Sequence, residues 1–257
     1  IRVERRVQII DNKGLLLKVK EPTRITTVIP KAKHIGEGKV LVKWGLEEAQ
    51  VLKNLRIKNV PSPIIAHYDW PGLHKPFAHQ KTTAEFLTLH RRAFCFNEQG
   101  TGKTASVIWA ADYLLNVGAI RRVLVLCPLS IMQAAWGNDL FTFAMHRTCT
   151  IAHSYSKEKR IKAVNSEAEF VVCNFDGLEI IKEEVKAGGF DLVVIDEANS
   201  YKNVSTKRFK VLSDVLTPST WVWMLTGTPA SQSPEDAYGL AKVINPTGVP
   251  KFKGAFK

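Results

Sequence analysis

Two short stretches, far apart in the chain, carry the residue types that meet around a metal-bound polyphosphate. The first is Gln99-Gly-Thr-Gly-Lys-Thr, residues 99–104. Gly100 and Gly102 let the backbone turn tightly, so that the amides of Gln99 through Thr101 converge on one point. Lys103 would reach the β- and γ-phosphates of a nucleotide, and the Thr104 hydroxyl would hold Mg²⁺. The second stretch is Asp196-Glu197. Asp196 would bind the same Mg²⁺, directly or through water. Glu197 would polarise the attacking water as general base. The chemistry implied is phosphoryl transfer to water, with ATP and Mg²⁺ as cofactors.

These groups need elements to carry them. Ala93–Phe96, an apolar run with two aromatics, predicts a buried strand, and the apolar segment after Thr104 predicts a helix to Asn116. That helix would aim its free amides and positive dipole end at the phosphates. Asp191–Ile195 predicts a second buried strand, ending at the acidic pair, and in a parallel sheet such ends face the ligand crevice. Further strands are predicted at Arg122–Cys127, Thr148–Ala152, Phe170–Cys173 and Thr220–Leu225. A helix is predicted to start at Pro128 and run through Trp136 and Leu140. After the last strand, Thr226-Gly227-Thr228 would sense the γ-phosphate and move a neighbouring surface. Gln80 opens a helix carrying Ala84, Phe86, Leu87 and Leu89, and its amide can both donate to and accept from an adenine edge. Buried strands alternating with helices call for a mostly parallel sheet covered by helices on both faces.

The chain has 257 residues, 45% hydrophobic and 23% charged, with a formal charge of +12. That composition fits a globular protein with ample core, and the charge points to a polyanionic partner such as nucleic acid. Residues 1–65 carry 14 Lys/Arg against 6 Asp/Glu, the remainder 22 against 18. They are predicted to form a small basic β-rich domain that touches a nucleic-acid backbone, with strands at Val7–Ile10, Leu15–Val19, Ile25–Ile29 and Leu41–Trp44 and a helix at Glu47–Leu55. Asn59–Pro63 is predicted as a linker to a second domain, residues 66–257. Cys95, Cys127, Cys149 and Cys173 show no metal-site spacing, and three lie in or at the end of apolar runs. Buried free thiols and a cytoplasmic, reducing location are expected. No apolar run reaches the ~18 residues of a membrane span, and the start has no secretory pattern.

Taken together, the motifs resemble those of superfamily-two helicase-like ATPases, most closely the Swi/Snf-type DNA translocases. The matching blocks are His79-Gln80, Asn97 through Thr104, Leu126-Cys-Pro-Leu-Ser with Trp136, Cys173-Asn-Phe-Asp, Asp196 through Asn203, Leu225-Thr-Gly-Thr-Pro, and Gln232 with Asn245-Pro246. The resemblance implies a RecA-like lobe in which Gln80 recognises adenine. It also implies that Pro128, Leu129, Ser130, Asn174 and Lys202 lie along DNA, double-stranded or forked. Asn97 stands where the first P-loop glycine, or in this family an Asp, is usual, and Asn199 where His is usual. The basic N-terminal segment, with Lys43-Trp44 and a following helix, resembles the accessory domain of annealing helicases and phage-encoded relatives. Such motors have a second RecA-like lobe that supplies arginine fingers, here expected C-terminal to Lys257. Two other readings stay open on the residues alone: a P-loop ATPase with a non-nucleic-acid substrate, and a non-catalytic DNA-binding fragment.

Overall fold

A computed structural model describes residues 7–96, 100–227 and 234–256. Gln99 and Thr228, together with Asn97 and Gln232, lie outside the described residues. The chain divides into two compact units. One comprises the described residues up to Asp69 with Ala84–His90, and the other Trp70–Thr83 with the described residues from Arg91 onward.

The first unit contains β1 (Val7–Ile10), β2 (Gly14–Lys18), α1 (Pro22–Val28), β3 (Lys33–His34), β4 (Lys39–Lys43), α2 (Leu46–Asn54) and α3 (Ile64–His67). The strands form an antiparallel sheet in the order β1-β2-β4-β3. Period-two alternation puts Leu15, Leu17, Val40 and Val42 on one face, where they share a core with Ile25, Trp44, Ala49 and Leu52. The predicted strand over Ile25–Ile29 is instead the second half of helix α1 and the residue that caps it. Pro22 sits in its first turn, where a preset φ and a missing amide favour a helix start, and Ile25 and Ile29, four residues apart, are both buried. Asn59–Pro63 is no loose linker either. The buried Ser62 hydroxyl shares a 2.7 Å hydrogen bond with that of Thr88, its amide donates to Glu85 at 3.0 Å, and the Trp44 indole donates to the Pro61 carbonyl at 2.9 Å.

Helix α4 (Ala78–Leu89) belongs by its first half to the second unit. There follow β5 (Arg92–Cys95), α5 (Lys103–Asn116), β6 (Val123–Cys127), α6 (Asn138–Phe143), β7 (Cys149–Ile151), α7 (Lys157–Val164), β8 (Phe170–Asn174), α8 (Gly177–Ile180), α9 (Lys182–Ala187), β9 (Leu192–Ile195), α10 (Lys207–Val215), β10 (Trp221–Leu225) and α11 (Ala237–Ile244). All six strands are parallel, in the order β5-β10-β9-β6-β8-β7. Every residue of β6, β9 and β10 is buried, so both faces of the sheet are covered, as the alternation of elements required.

Two charged side chains, one of them buried, hold this unit together away from the site. Asp112 lies in the middle of α5, fully buried, and would be costly without partners. Arg147 supplies one at 2.5 Å and His146 another at 2.8 Å, while Arg147 also binds Glu169 at 2.6 Å. At the N-terminal edge of the sheet, Arg122 donates to the carbonyls of Val164, Ser166, Ala168 and Gly188 and lies over the Phe190 ring. The opposite edge is left for function. Cys95, Cys127 and Cys173 are buried thiols, while Cys149 is exposed. Among the described residues, no helix is long and apolar enough to cross a membrane.

Candidate nucleotide-binding site

Apart from Gln80, which lies on α4, the described site residues predicted from sequence sit at or just beyond the C-terminal ends of the parallel strands. Strand β10 lies between β5 and β9, with Leu225 opposite Cys95 and Met224 opposite Ile195. The Gly100–Thr104 turn, which follows β5, and Asp196-Glu197, which follow β9, therefore flank Thr226 at the end of β10. At ordinary strand spacing, β5 and β9 run about 10 Å apart. The Thr226 amide donates to the Cys95 carbonyl at 3.2 Å, and the Asp196 amide to that of Leu126 at 2.8 Å. Further along the same edge, Cys127 pairs with Asn174, which brings Pro128–Ser130 beside the end of β8.

The turn itself depends on its glycines. Gly100 has φ +78° and Gly102 φ +71°, left-handed conformations that an ordinary side chain resists. Gly102 caps α5, with Lys103 and Thr104 in the first turn, and its carbonyl accepts from the Ser106 amide at 3.2 Å and hydroxyl at 3.3 Å. From α4, His79 donates through Nε2 to the Thr101 carbonyl at 3.0 Å, and Gln80 through Nε2 to the Gly102 carbonyl at 3.4 Å. A Cβ on Gly102 would collide with the Gln80 amide, so the two residue types are matched. Gln80 is buried, and its Oε1 accepts the Phe77 amide at 2.8 Å. An adenine would be met by what that amide has left, one N–H and the remaining lone pairs. The grip of His79 and Gln80 on the Thr101–Gly102 turn is an interaction that the sequence did not announce.

Across β10, Asp196 is buried and positioned at both oxygens. Oδ1 accepts the Glu197 amide at 2.9 Å, and Oδ2 accepts the Trp136 indole N–H at 3.0 Å. Burial pushes the Asp196 carboxyl above its ordinary range. The two hydrogen bonds pull it back, the Glu197 charge raises it, and the Lys103 ammonium lowers it. The two chemical stretches thus lie within electrostatic reach of one another. Glu197 takes φ 51°, ψ 54°, a left-handed conformation rare outside glycine that turns the chain sharply just beyond the strand.

Trp136 belongs to one of the matching blocks, yet its residue type alone suggests no role. The predicted continuous helix from Pro128 to Leu140 is broken into a 3₁₀ turn at Leu129–Ile131, a π-helical turn at Met132–Gly137, and α6. The wider π turn carries the fully buried indole, whose N–H meets Asp196. Replacing Trp136 by Phe keeps most of the volume and removes that N–H. The expected cost is about 1–3 kcal/mol, as for a buried acceptor stripped of a donor, and about tenfold weaker Mg²⁺-dependent nucleotide binding. Thermal unfolding and a Mg²⁺ titration with a fluorescent nucleotide would measure both, and unchanged Mg²⁺ affinity would remove Trp136 from the site.

The remaining predicted residues fall into two settings. Thr226 is buried beside the turn and the acids, with Gly227 next to it. Leu129 and Ser130 are exposed, and so is Lys202, which follows the 3₁₀ turn Ala198–Tyr201. Asn174 Oδ1 is buried with no hydrogen-bond partner among the described residues. A turn of left-handed glycines opening a helix, with an ammonium and a carboxylate on either side of β10, has the donor types that a Mg²⁺-bound triphosphate requires. No group of three or more His, Cys, Asp or Glu forms a metal site among the described residues. Mg²⁺ here would take its other ligands from phosphate oxygens and water.

A family profile described as the SNF2-related domain matches residues 40–254. The chain belongs to this family. Its curated relatives include a Caenorhabditis elegans homolog of SWI/SNF-related matrix-associated actin-dependent regulator of chromatin subfamily A-like protein 1, 25% identical over 76% of this chain and 28% of that protein. The Xenopus laevis protein of that name is 28% identical over 73% of this chain and 19% of its own length. Among solved structures, the Sulfolobus solfataricus SWI2/SNF2 ATPase core in complex with dsDNA aligns with TM-score 0.59 and 25% identity, over 66% of this chain and 36% of that one. The SNF2-related chain thus spans under a third of those curated relatives and about a third of that structure. Its six-stranded unit has the RecA-like fold of an SNF2 ATPase core, and the motifs at its sheet edge are those of the superfamily-two, Swi/Snf-type motors.

Proposed function

We propose that this SNF2-related chain is the ATP-binding lobe of a DNA translocase or helicase, coupling ATP hydrolysis to movement along DNA or its remodelling. What supports the proposal is the strand order, which sets α5, opening with Lys103 after β5, and Asp196, after β9, on either side of β10. In this reading residues 66–257 are the motor lobe and residues 1–65 an accessory domain. The turn amides from Gln99 to Gly102 and Lys103 bind the phosphates, while Gln80 meets the adenine. Thr104 and Asp196 hold Mg²⁺, which when bound neutralises charge building on the β- and γ-phosphates. Glu197 accepts a proton from the water whose oxygen attacks the γ-phosphorus as the bond to the β-phosphate oxygen breaks. Thr226, Gly227 and Thr228 would sense loss of the γ-phosphate and shift the adjoining surface.

Pro128, Leu129, Ser130, Asn174 and Lys202 would contact DNA phosphates rather than bases, as suits a motor that must hold any sequence. The dsDNA named for the Sulfolobus core supports a duplex substrate. A second RecA-like lobe beyond Lys257 would complete the site. ATP turnover measured with and without duplex DNA, in the polypeptide extended through that lobe, tests the proposal. Turnover should rise with duplex, whereas a rate indifferent to nucleic acid would favour a P-loop ATPase with another substrate.

A further inference from the structure

The first unit carries a lysine-rich face with no part in the ATP site. Its antiparallel sheet buries Leu15, Leu17, Val40 and Val42 on one side, so their neighbours along each strand point the other way. Register then fixes what that second face displays. Gly14 pairs with Lys43, Leu16 with Leu41, and Lys18 with Lys39, while Lys33 of β3 pairs with Leu41. Lys33, Lys39, Lys43 and Lys18 therefore stand on one face, with Lys33 and Lys43 on adjacent strands and diagonal to each other, about 7–8 Å apart. Lys13, Lys31, Lys33 and Lys43 line a single groove of about 330 Å³, together with Ile10, Gly14 and Leu41.

Acids are scarce there. Asp11 is the one carboxylate lining the groove. At the other end of the face, Lys39 binds Glu37 at 2.8 Å, and that hydrogen bond, with the charges of Lys39 and Lys18, holds the Glu37 carboxyl below its usual range. Among the described residues, Lys13, Lys31, Lys33 and Lys43 have no carboxylate within ion-pair distance. Four ammonium groups gathered around a single carboxylate, with none ion-paired to it, repel one another, an arrangement that an external polyanion would relieve.

We propose that this face is a docking surface for the phosphate backbone of duplex DNA, separate from the motor lobe's own contacts. The choice of duplex rests on what lies between the lysines. Single strands are held by stacking bases on aromatic rings, and the groove offers Ile10 and Leu41 but no ring. Ammonium groups over short aliphatic side chains suit phosphates, whose contacts position a duplex without reading it. The surface goes beyond the ATPase reading and does not depend on it.

The test uses the full chain and a labelled 20-base-pair duplex, with affinity measured by fluorescence anisotropy at several salt concentrations. Lys13→Glu, Lys33→Glu and Lys43→Glu together should weaken binding at least tenfold. They should also flatten the slope of log affinity against log salt by roughly 3, about 0.9 for each phosphate no longer neutralised by a lysine. The milder Lys33→Gln/Lys43→Gln variant, which leaves the fold least disturbed, should flatten it by roughly 2. The same losses should appear in a Lys103→Ala background, which separates this surface from failure of the ATP site. An unchanged slope in both lysine variants would overturn the proposal. So would tighter binding of an unpaired strand than of duplex, or lysine-dependent binding to vesicles of phosphatidylserine and phosphatidylcholine with none to duplex.

Discussion

Replacing Glu197 by glutamine is expected to lower ATP turnover by about 10²–10⁴-fold, the range lost with a positioned general base, while nucleotide affinity changes only a few-fold. The reason lies in the division of labour at the sheet edge. Glu197 is held out of the strand direction by its left-handed backbone, and its amide, not its carboxylate, positions Asp196. Glutamine keeps that amide and the side-chain length but cannot take a proton from water. Asp196 should therefore still be oriented by the Glu197 amide and the Trp136 indole, and Mg²⁺-nucleotide should still bind. A fluorescent nucleotide titration beside a phosphate-release assay separates the two effects. Loss of binding in parallel with turnover would assign Glu197 to holding the ligand, and residual turnover equal to that of the unmodified chain would make the ATP motifs idle.

The 257-residue chain alone is expected to turn over ATP about 10³–10⁵-fold more slowly than the same lobe joined to a second RecA-like lobe, with weak nucleotide binding. That is the factor an arginine supplied across an interface contributes in related phosphoryl transfers. Lys103 sits in the first turn of α5, and the proposed arginine would come from the second lobe. Steady-state turnover of both polypeptides, each with saturating duplex, measures the factor. A rate in the shorter chain matching the longer one would mean that the described lobe is catalytically complete.

Much of the parallel-sheet unit could be read before its coordinates. Continuous apolar runs such as Val123–Cys127 and Leu192–Ile195 have one physical use, as strands buried on both faces, and glycines at 100 and 102 ahead of Lys-Thr demand left-handed backbone. Strand order could not be read that way. Alternation of strand and helix says parallel, but nothing local places β10 between β5 and β9. The Trp136–Asp196 hydrogen bond was hidden for the same reason, since its partners are 60 residues apart and the π turn that aims the indole has no signature of its own. In the basic unit, short amphipathic segments misled. Ile25–Ile29 consists wholly of β-branched residues, which favour strands, yet its apolar positions 25, 28 and 29 have the i, i+3, i+4 spacing of the helix that Pro22 starts. The prolines of Asn59–Pro63 read as a linker because composition cannot reveal that Ser62 is clasped by Glu85 and Thr88.

A double-mutant cycle on Lys103 and Asp196 bears most directly on whether the two stretches meet around one ligand. Affinity for a non-hydrolysable Mg²⁺-ATP analogue would be measured by calorimetry for the unmodified chain, Lys103→Met, Asp196→Asn and the pair. Coupling above about 1 kcal/mol is expected, as for groups that share a partner. Losses that add to within about 0.3–0.5 kcal/mol, the behaviour of distant, independent sites, would contradict a shared metal–triphosphate site.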